Sequence, residues 1–304
     1  MIKIFFRTHL VFSIAILFAQ KPFDHQMIYQ SESGVINPQI SSDGKYLSFT
    51  LPNYIGLYLL NMSDKSVLEI TNETAAGFGY SWSTSGDAIA YKPAFFLEKR
   101  RYNSLVVYEL ESGLKNVIIS DKMSLPGKII WIDRNNIYLA GNTKIKGNYY
   151  LTFKSSTRSE YYNFEKNTIY LVSKDNKKRR PFLKNIKEIH DMAVSPNGEK
   201  ILYEEYGGNL IMINIEDQST INLGIGHEAE WSPDGSKIVF MRTDDDGYNI
   251  TQSDIYVVKS DGTDLINVTH GTDLIAMRPT WVDNTHIIYD TDINNELYMA
   301  EVQR

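Results

Sequence analysis

Two histidine–carboxylate pairs, His190-Asp191 and His227-Glu228, are the residues of this chain whose types best suit chemistry. An imidazole beside a carboxylate can hold a proton, ligate a divalent ion or bind a polar ligand. Their spacing gives them a shared meaning, because each histidine stands four residues ahead of a position, Val194 or Trp231, that recurs along the chain. Metal sites ordinarily need a third ligand, so the pairs read as polar lining of one opening rather than as a metal centre.

Asp244-Asp245-Asp246-Gly247 invites a calcium reading. Aligned on an EF-hand loop with Gly247 as the obligatory glycine, the first ligand would be Arg242 and the terminal glutamate would be Ser253, which excludes that loop. No cofactor is expected, a looser site for Ca2+ or another divalent ion being the one alternative. Three long insertions add other candidates. Lys92 to Asn103 carries Arg100 and Arg101, and Gly141 to Asn167 carries Tyr149, Tyr150, Tyr161 and Tyr162 among lysines and an arginine. The third runs from Thr243 to Ser253. Tyrosines in an extended loop can stack on sugar rings or anchor a protein partner; packing as an extra hairpin on a sheet edge is the competing reading. No spacing ties a nucleophile to a base, and no catalytic residues are assigned.

The recurring position organises everything else. All four tryptophans, Trp82, Trp131, Trp231 and Trp281, occupy it, and Ile40 and Val194 fill it in two further copies. After it comes a polar turn such as Ser195-Pro-Asn-Gly198 or Ser232-Pro-Asp-Gly235, then an apolar strand. That order fits a type I turn closed by a left-handed glycine. In the third and sixth copies Asn135 and Asn284 stand in for the glycine and are expected to adopt its conformation. With the strand that carries the recurring position and the one after the turn, a third strand, from Leu57-Tyr-Leu-Leu60 to Leu297-Tyr-Met-Ala300, and a weaker fourth in most copies bring the count to four. Four short strands at intervals of 42, 49, 63, 37 and 50 residues predict six propeller blades. The sixth copy lacks a fourth strand, and Met27-Ile-Tyr-Gln30 is expected to supply it and close the ring.

Trp231-Ser-Pro-Asp-Gly235, Val194-Ser-Pro-Asn-Gly198 and Asp254-Ile-Tyr-Val257 with Asn267-Val-Thr269 resemble the repeat of the TolB-like six-bladed β-propellers. The resemblance runs from about Met27 to Arg304 and implies the fold; propellers carry many activities. Two departures separate this chain from relatives of known role. Too few residues precede the first copy to form TolB's α/β domain, and the α/β-hydrolase of the prolyl oligopeptidases has no counterpart, nor does its G-x-S-x-G elbow.

Lys3 and Arg7 ahead of an apolar run from Leu10 to Ala19 predict a secretory leader over residues 1–20, cleaved near Ala19, with residues 21–304 forming one propeller domain. The run is too short to span a bilayer as a helix. With no cysteine, neither disulfides nor a lipid anchor on an N-terminal cysteine is available. A monomer free in the bacterial periplasm or outside the cell is expected. Losing Lys3 and Arg7 with the leader would take the net charge from −6 to −8, which argues against nucleic-acid binding.

In a propeller, loops entering the innermost strand and loops between the second and third strands emerge on one rim, whereas the Pro-Asp-Gly hairpins emerge on the other. All three insertions and both histidine pairs fall on the first rim. The sequence therefore predicts a non-catalytic binding or scaffold propeller recognising an envelope protein or glycan there, with a carbohydrate- or peptide-processing enzyme as the alternative.

Overall fold

The computed structural model describes residues 23–123, 125, 128–133, 136–140, 150–152, 160–173, 178–291 and 295–302. The expected leader, Tyr149 and Asn135 lie outside them. The chain is an all-β six-bladed propeller of antiparallel sheets, with a single short 3-10 turn at Pro52–Tyr54 among the described residues. Blade one orders Ile36–Ile40, Tyr46–Leu51, Ile55–Asn61 and Val67–Thr71 from the channel outward. Blade four repeats the order with Ile189–Val194, Lys200–Glu205, Asn209–Asn214 and Thr220–Ile225, and blade five with His227–Trp231, Lys237–Asp245, Ile250–Lys259 and Ile266–Asn267. In blade two, Ser81–Trp82, Ala88–Tyr91, Arg100–Glu109 and Lys115–Lys122 are joined by a fifth strand, Ala94–Leu97, which folds back on Arg100–Glu109.

Blade six comprises Ala276–Trp281, His286–Thr291 and Glu296–Glu301, and His25–Gln30 lies antiparallel against the last of these. Across this seam Val35, Leu47 and Phe49 of blade one pack on Ile288 and Leu297 of blade six, with Ile28 and Tyr29 alongside.

The third copy departs from the four-stranded pattern. Its extra residues supply two additional strands, Tyr150–Thr152 and Glu160–Glu165. The first pairs with Asn136–Ala140 and the second with Thr168–Ser173, so the edges that would have joined are each occupied. Six sequence copies thus give seven sheets, two of them three-stranded. The second of these packs on blade four through Phe164 and Ile169, next to Ile189, Met192 and Tyr203.

The recurring turn explains its own sequence. Ser41, Ser83, Ser195 and Ser232, each directly after the recurring position, are buried. Each hydroxyl takes a backbone N–H across its hairpin, that of Tyr46, Ala88, Lys200 or Lys237 at 2.9–3.1 Å. The residue that follows in the loop, Asp43, Asn197 or Asp234, accepts from the same hydroxyl at 2.7 Å. Gly198 and Gly235 then turn left-handed at φ 77° and 71°, a region open to glycine without steric penalty. The sixth copy solves the turn differently from the expectation. Asn284 is not left-handed; instead the Asp283 carboxylate accepts the N–H groups of Thr285 and His286 at 2.7 and 2.8 Å, a side-chain substitute for the glycine turn. Asn284 is thereby released to accept the Asp234 N–H of blade five at 3.0 Å.

The tryptophans are clamps between blades. Each indole N–H donates to a backbone carbonyl one residue before the recurring position of the preceding copy: Trp82 to Gln39, Trp131 to Ser81, Trp231 to Ala193 and Trp281 to Glu230, at 3.0–3.4 Å. The ring fills the wedge between sheets while its one polar atom is satisfied. Ile40 and Val194 cannot make this bond. They stand at the closing seam and at the junction where the divided third copy meets blade four.

Candidate functional site at the channel mouth

A cavity of about 570 Å³ opens where the channel meets the rim of long insertions. Six of its lining residues share one register, three before the recurring position of each copy: Asn37, Gly79, Lys128, Asp191, Glu228 and Arg278. The innermost strands bulge here, with register breaks between Ile36 and Gln39, Ile189 and Asp191, His227 and Glu230, and Met277 and Thr280. Asn37, Glu228 and Arg278 have φ of 56°, 51° and 47°, a conformation costing a non-glycine residue about 1 kcal/mol or more. Bulges redirect side chains, and these turn Asn37, Asp191, Glu228 and Arg278 into the channel; Lys128 of blade three reaches it from regularly paired strand, and blade two places Gly79 there.

The strain is held by charge pairing. Arg278 forms a bidentate ion pair with Asp290, whose side chain is fully buried, and the same carboxylate accepts the Asn37 N–H at 2.8 Å. This ties blade six to blade one. Lys128 forms an ion pair with Asp191 across the junction that lacks an indole clamp. Loss of water works against the Lys128 charge, but Asp191, Glu228 and Glu230 outweigh it and hold the ammonium above its ordinary range. Desolvation in the narrow channel pushes the Glu228 carboxyl up, with Asp191 and Glu204 adding to the effect while Lys128 and Arg278 oppose it.

Further in, Gln39, Ser81, Glu230 and Thr280, each one residue before the recurring position, line a narrower space of about 300 Å³. Burial pushes Glu230 up to about 7, although hydrogen bonds from Thr280 and the Trp281 backbone pull the other way. Its folded-state value thus lies above the 4.5 of an exposed glutamate. An acid shifted this way adds stability in full below pH 4.5, and that contribution is lost as pH rises through about 7. Glu230→Gln is therefore expected to leave stability unchanged near pH 4 and to raise it by up to about 3 kcal/mol above pH 7. Denaturant titrations at both pH values check this; equal effects at the two would contradict it.

The structure separates the residues singled out in the sequence. His190, Asp191, Glu228 and Arg101 line the cavity. His227 does not join His190 there. Its Nδ1 lies 2.8 Å from Glu204 Oε1, and its ring packs so closely on Gly208 that a Cβ there would sit 2.7 Å away. The Glu204 hydrogen bond raises the imidazole above its ordinary value despite partial burial. Arg100 pairs across the hairpin with Leu97, and Arg101 with Phe96, so the two arginines point to opposite faces. Tyr161 and Tyr162 stand on a strand rather than in an open loop, half-buried against the blade-four core, Tyr162 edge-on to Phe182 at 5.1 Å. They pack there because the insertion forms a sheet edge. Tyr150 is on Tyr150–Thr152. At the acidic turn, Asp245 and Asp246 accept the N–H groups of Gly247, Tyr248 and Asn249 at 2.8–2.9 Å.

Lys128, Arg278, Glu204, Glu230 and Lys92 were not evident from the sequence. For Lys128 and Arg278 a signal existed, since the register that marked Asp191 and Glu228 marks them too. Lys92 is 7% exposed, and burial, with Arg101 adding to it, pushes its amine down to about 8.

The fold and this mouth define a six-bladed β-propeller with a polar axial cavity. No family model matches the sequence, and no curated protein matches it. Solved structures do. An oligogalacturonate lyase in complex with manganese is 14% identical, with 93% of this chain and 97% of that chain covered and a TM-score of 0.51. A putative TolB from Agrobacterium tumefaciens is 16% identical, with 92% and 94% covered and a TM-score of 0.57. TolB from Acinetobacter baumannii is 11% identical at a TM-score of 0.53; 91% of this chain is covered, but only 56% of that one. This chain spans little more than half of that TolB's length. At such identities the likeness is one of fold.

Proposed function

We propose that the chain is a binding propeller of the bacterial cell envelope that holds a partner protein at the channel mouth. One observation carries this reading: five of the six blades turn a polar side chain from the same register into a single cavity, on the rim where the long insertions also emerge. A cavity of this size with a few convergent polar groups suits recognition. Most charges of the ring are already committed to the fold, Lys128 with Asp191 and Arg278 with Asp290. Fixed pairs of this kind make a rigid, preorganised surface. Among the described residues no helix is long and apolar enough to cross a membrane, and the structural likeness to TolB proteins is compatible with an envelope role.

Capture of partners from envelope extract tests the reading. Arg101→Ala with His190→Ala is expected to abolish capture without altering the melting curve, because both side chains are exposed. Pro196→Ala with Pro233→Ala, on the hairpin rim, is expected to leave it intact. The reverse pattern would overturn the proposal.

A second reading has one observation in its favour. Lys92, lining the cavity beside Arg101 with its amine lowered to about 8, has the character of a general base. One structural neighbour is a lyase acting on oligogalacturonate. Elimination from a uronate glycan generates an absorbing double bond, so turnover of such glycans, lost in Lys92→Met, would favour the enzyme.

A further inference from the structure

The cavity is chemically divided. On the side of blades one and two it is lined by Tyr54, Phe78, Met123 and Leu125 together with Lys92 and Arg101; on the side of blades four and five it is lined by Asp191, Glu204 and Glu228. In a ring of six copies, blades two and five stand opposite each other. Positive and negative ends therefore face across the mouth.

Not all of these charges are free to bind. Asp191 is engaged by Lys128 and Glu204 by His227. Among the described residues, Arg101 and Glu228 have no ion pair. They belong to the two opposite sides. Arg101 is placed on the cavity side of its hairpin by strand alternation, along with Phe96 across from it and Asn103 two residues on. The fold maintains two left-handed residues, Glu98 and Lys99, to form this tight hairpin.

The apolar groups sit at the cationic end. Phe78 is 55% exposed, Phe96 65% and Met123 63%, and Tyr54 meets Phe78 edge-on at 5.1 Å. Large side chains left this exposed beside a cavity mark a contact surface. A guanidinium flanked by exposed aromatic and thioether groups recognises a carboxylate that has an apolar group on the neighbouring carbon.

Taken with the reading of the mouth as the binding site, on which it rests, we propose that the ligand is the C-terminal end of a polypeptide. The terminal carboxylate lies on Arg101, the last side chain is apolar and rests on Phe78 and Met123, and a lysine or arginine a few residues upstream reaches Glu228. A glycan would present carboxylates along its length instead of one carboxylate beside an apolar group.

Fluorescein-labelled decapeptides randomised over their last five positions, synthesised once as free acids and once as C-terminal amides, test this by anisotropy. Free acids ending in Leu, Phe or Met with an upstream Lys or Arg are expected to bind at least roughly tenfold more tightly than their amides, the effect of one charge-assisted contact. Arg101→Gln should erase the preference for acid over amide while keeping the preference for a basic residue. Glu228→Gln should do the opposite. Both variants should melt as the parent does. If acids and amides bind alike, or neither binds, the inference is overturned. The broader proposal then stands or falls separately, on whether Arg101→Ala with His190→Ala abolishes capture of the envelope partner.

Discussion

Trp281→Ala is expected to destabilise the protein by about 3–5 kcal/mol, the range for deleting a large buried aromatic group. The side chain is 1% exposed, among the largest fully buried groups of the protein. It joins the core of blade six to Val239, Met241 and Ile255 of blade five, and its Nε1–H donates to the Glu230 carbonyl at 3.2 Å. Alanine would leave a cavity between the two sheets and an unpaired backbone carbonyl at its edge. Trp281→Phe, which keeps most of the volume but no donor, should lose only about 1–2 kcal/mol. Urea titrations of the three proteins decide the matter. A loss below about 1 kcal/mol for Trp281→Ala would mean that the recurring position is not a clamp.

Asp290→Ala should cost a similar amount, about 3–5 kcal/mol, for an electrostatic reason. Its carboxylate is fully buried and accepts from Arg278 Nε at 2.7 Å and from the Asn37 N–H at 2.8 Å. Without it, a largely buried guanidinium loses its ion pair and two left-handed residues lose the contact that holds them. Breaking one partner of a buried pair is costly, whereas replacing both with apolar groups often is not. Asp290→Leu combined with Arg278→Met is accordingly expected to recover most of the loss. A double variant as unstable as Asp290→Ala would show that the Asn37 contact matters more than the ion pair.

The repeat was legible because its residues have fixed physical duties. The tryptophans, and in four copies the serine after the recurring position and the glycine of the turn, satisfy local geometry that recurs from blade to blade. Division of the third copy was not legible, since whether Asn136–Ala140 pairs with Ile169–Val172 or with an inserted strand depends on non-local pairing, and strand propensity is the same in both cases. The place of Tyr161 and Tyr162 on a strand, not in an open loop, was hidden for the same reason. Half of the charged ring was visible through the histidines next to Asp191 and Glu228. Lys128 and Arg278 went unnoticed because no histidine marks their register, and for Arg278 alternation alone does not reveal the bulge between Met277 and Thr280 that turns its side chain into the channel. Asp290, an unremarkable strand residue in the sequence, acquires its role only when blade six closes on blade one.

A photocrosslinking residue, p-benzoylphenylalanine, placed at Phe78 on the cavity lip or at Asn197 on the hairpin rim, tests the central claim most directly when each variant is irradiated in envelope extract. The binding account predicts a discrete higher-mass adduct from position 78, suppressed by Arg101→Ala, and none from position 197. An adduct from position 197 alone would place the partner on the opposite rim and contradict it.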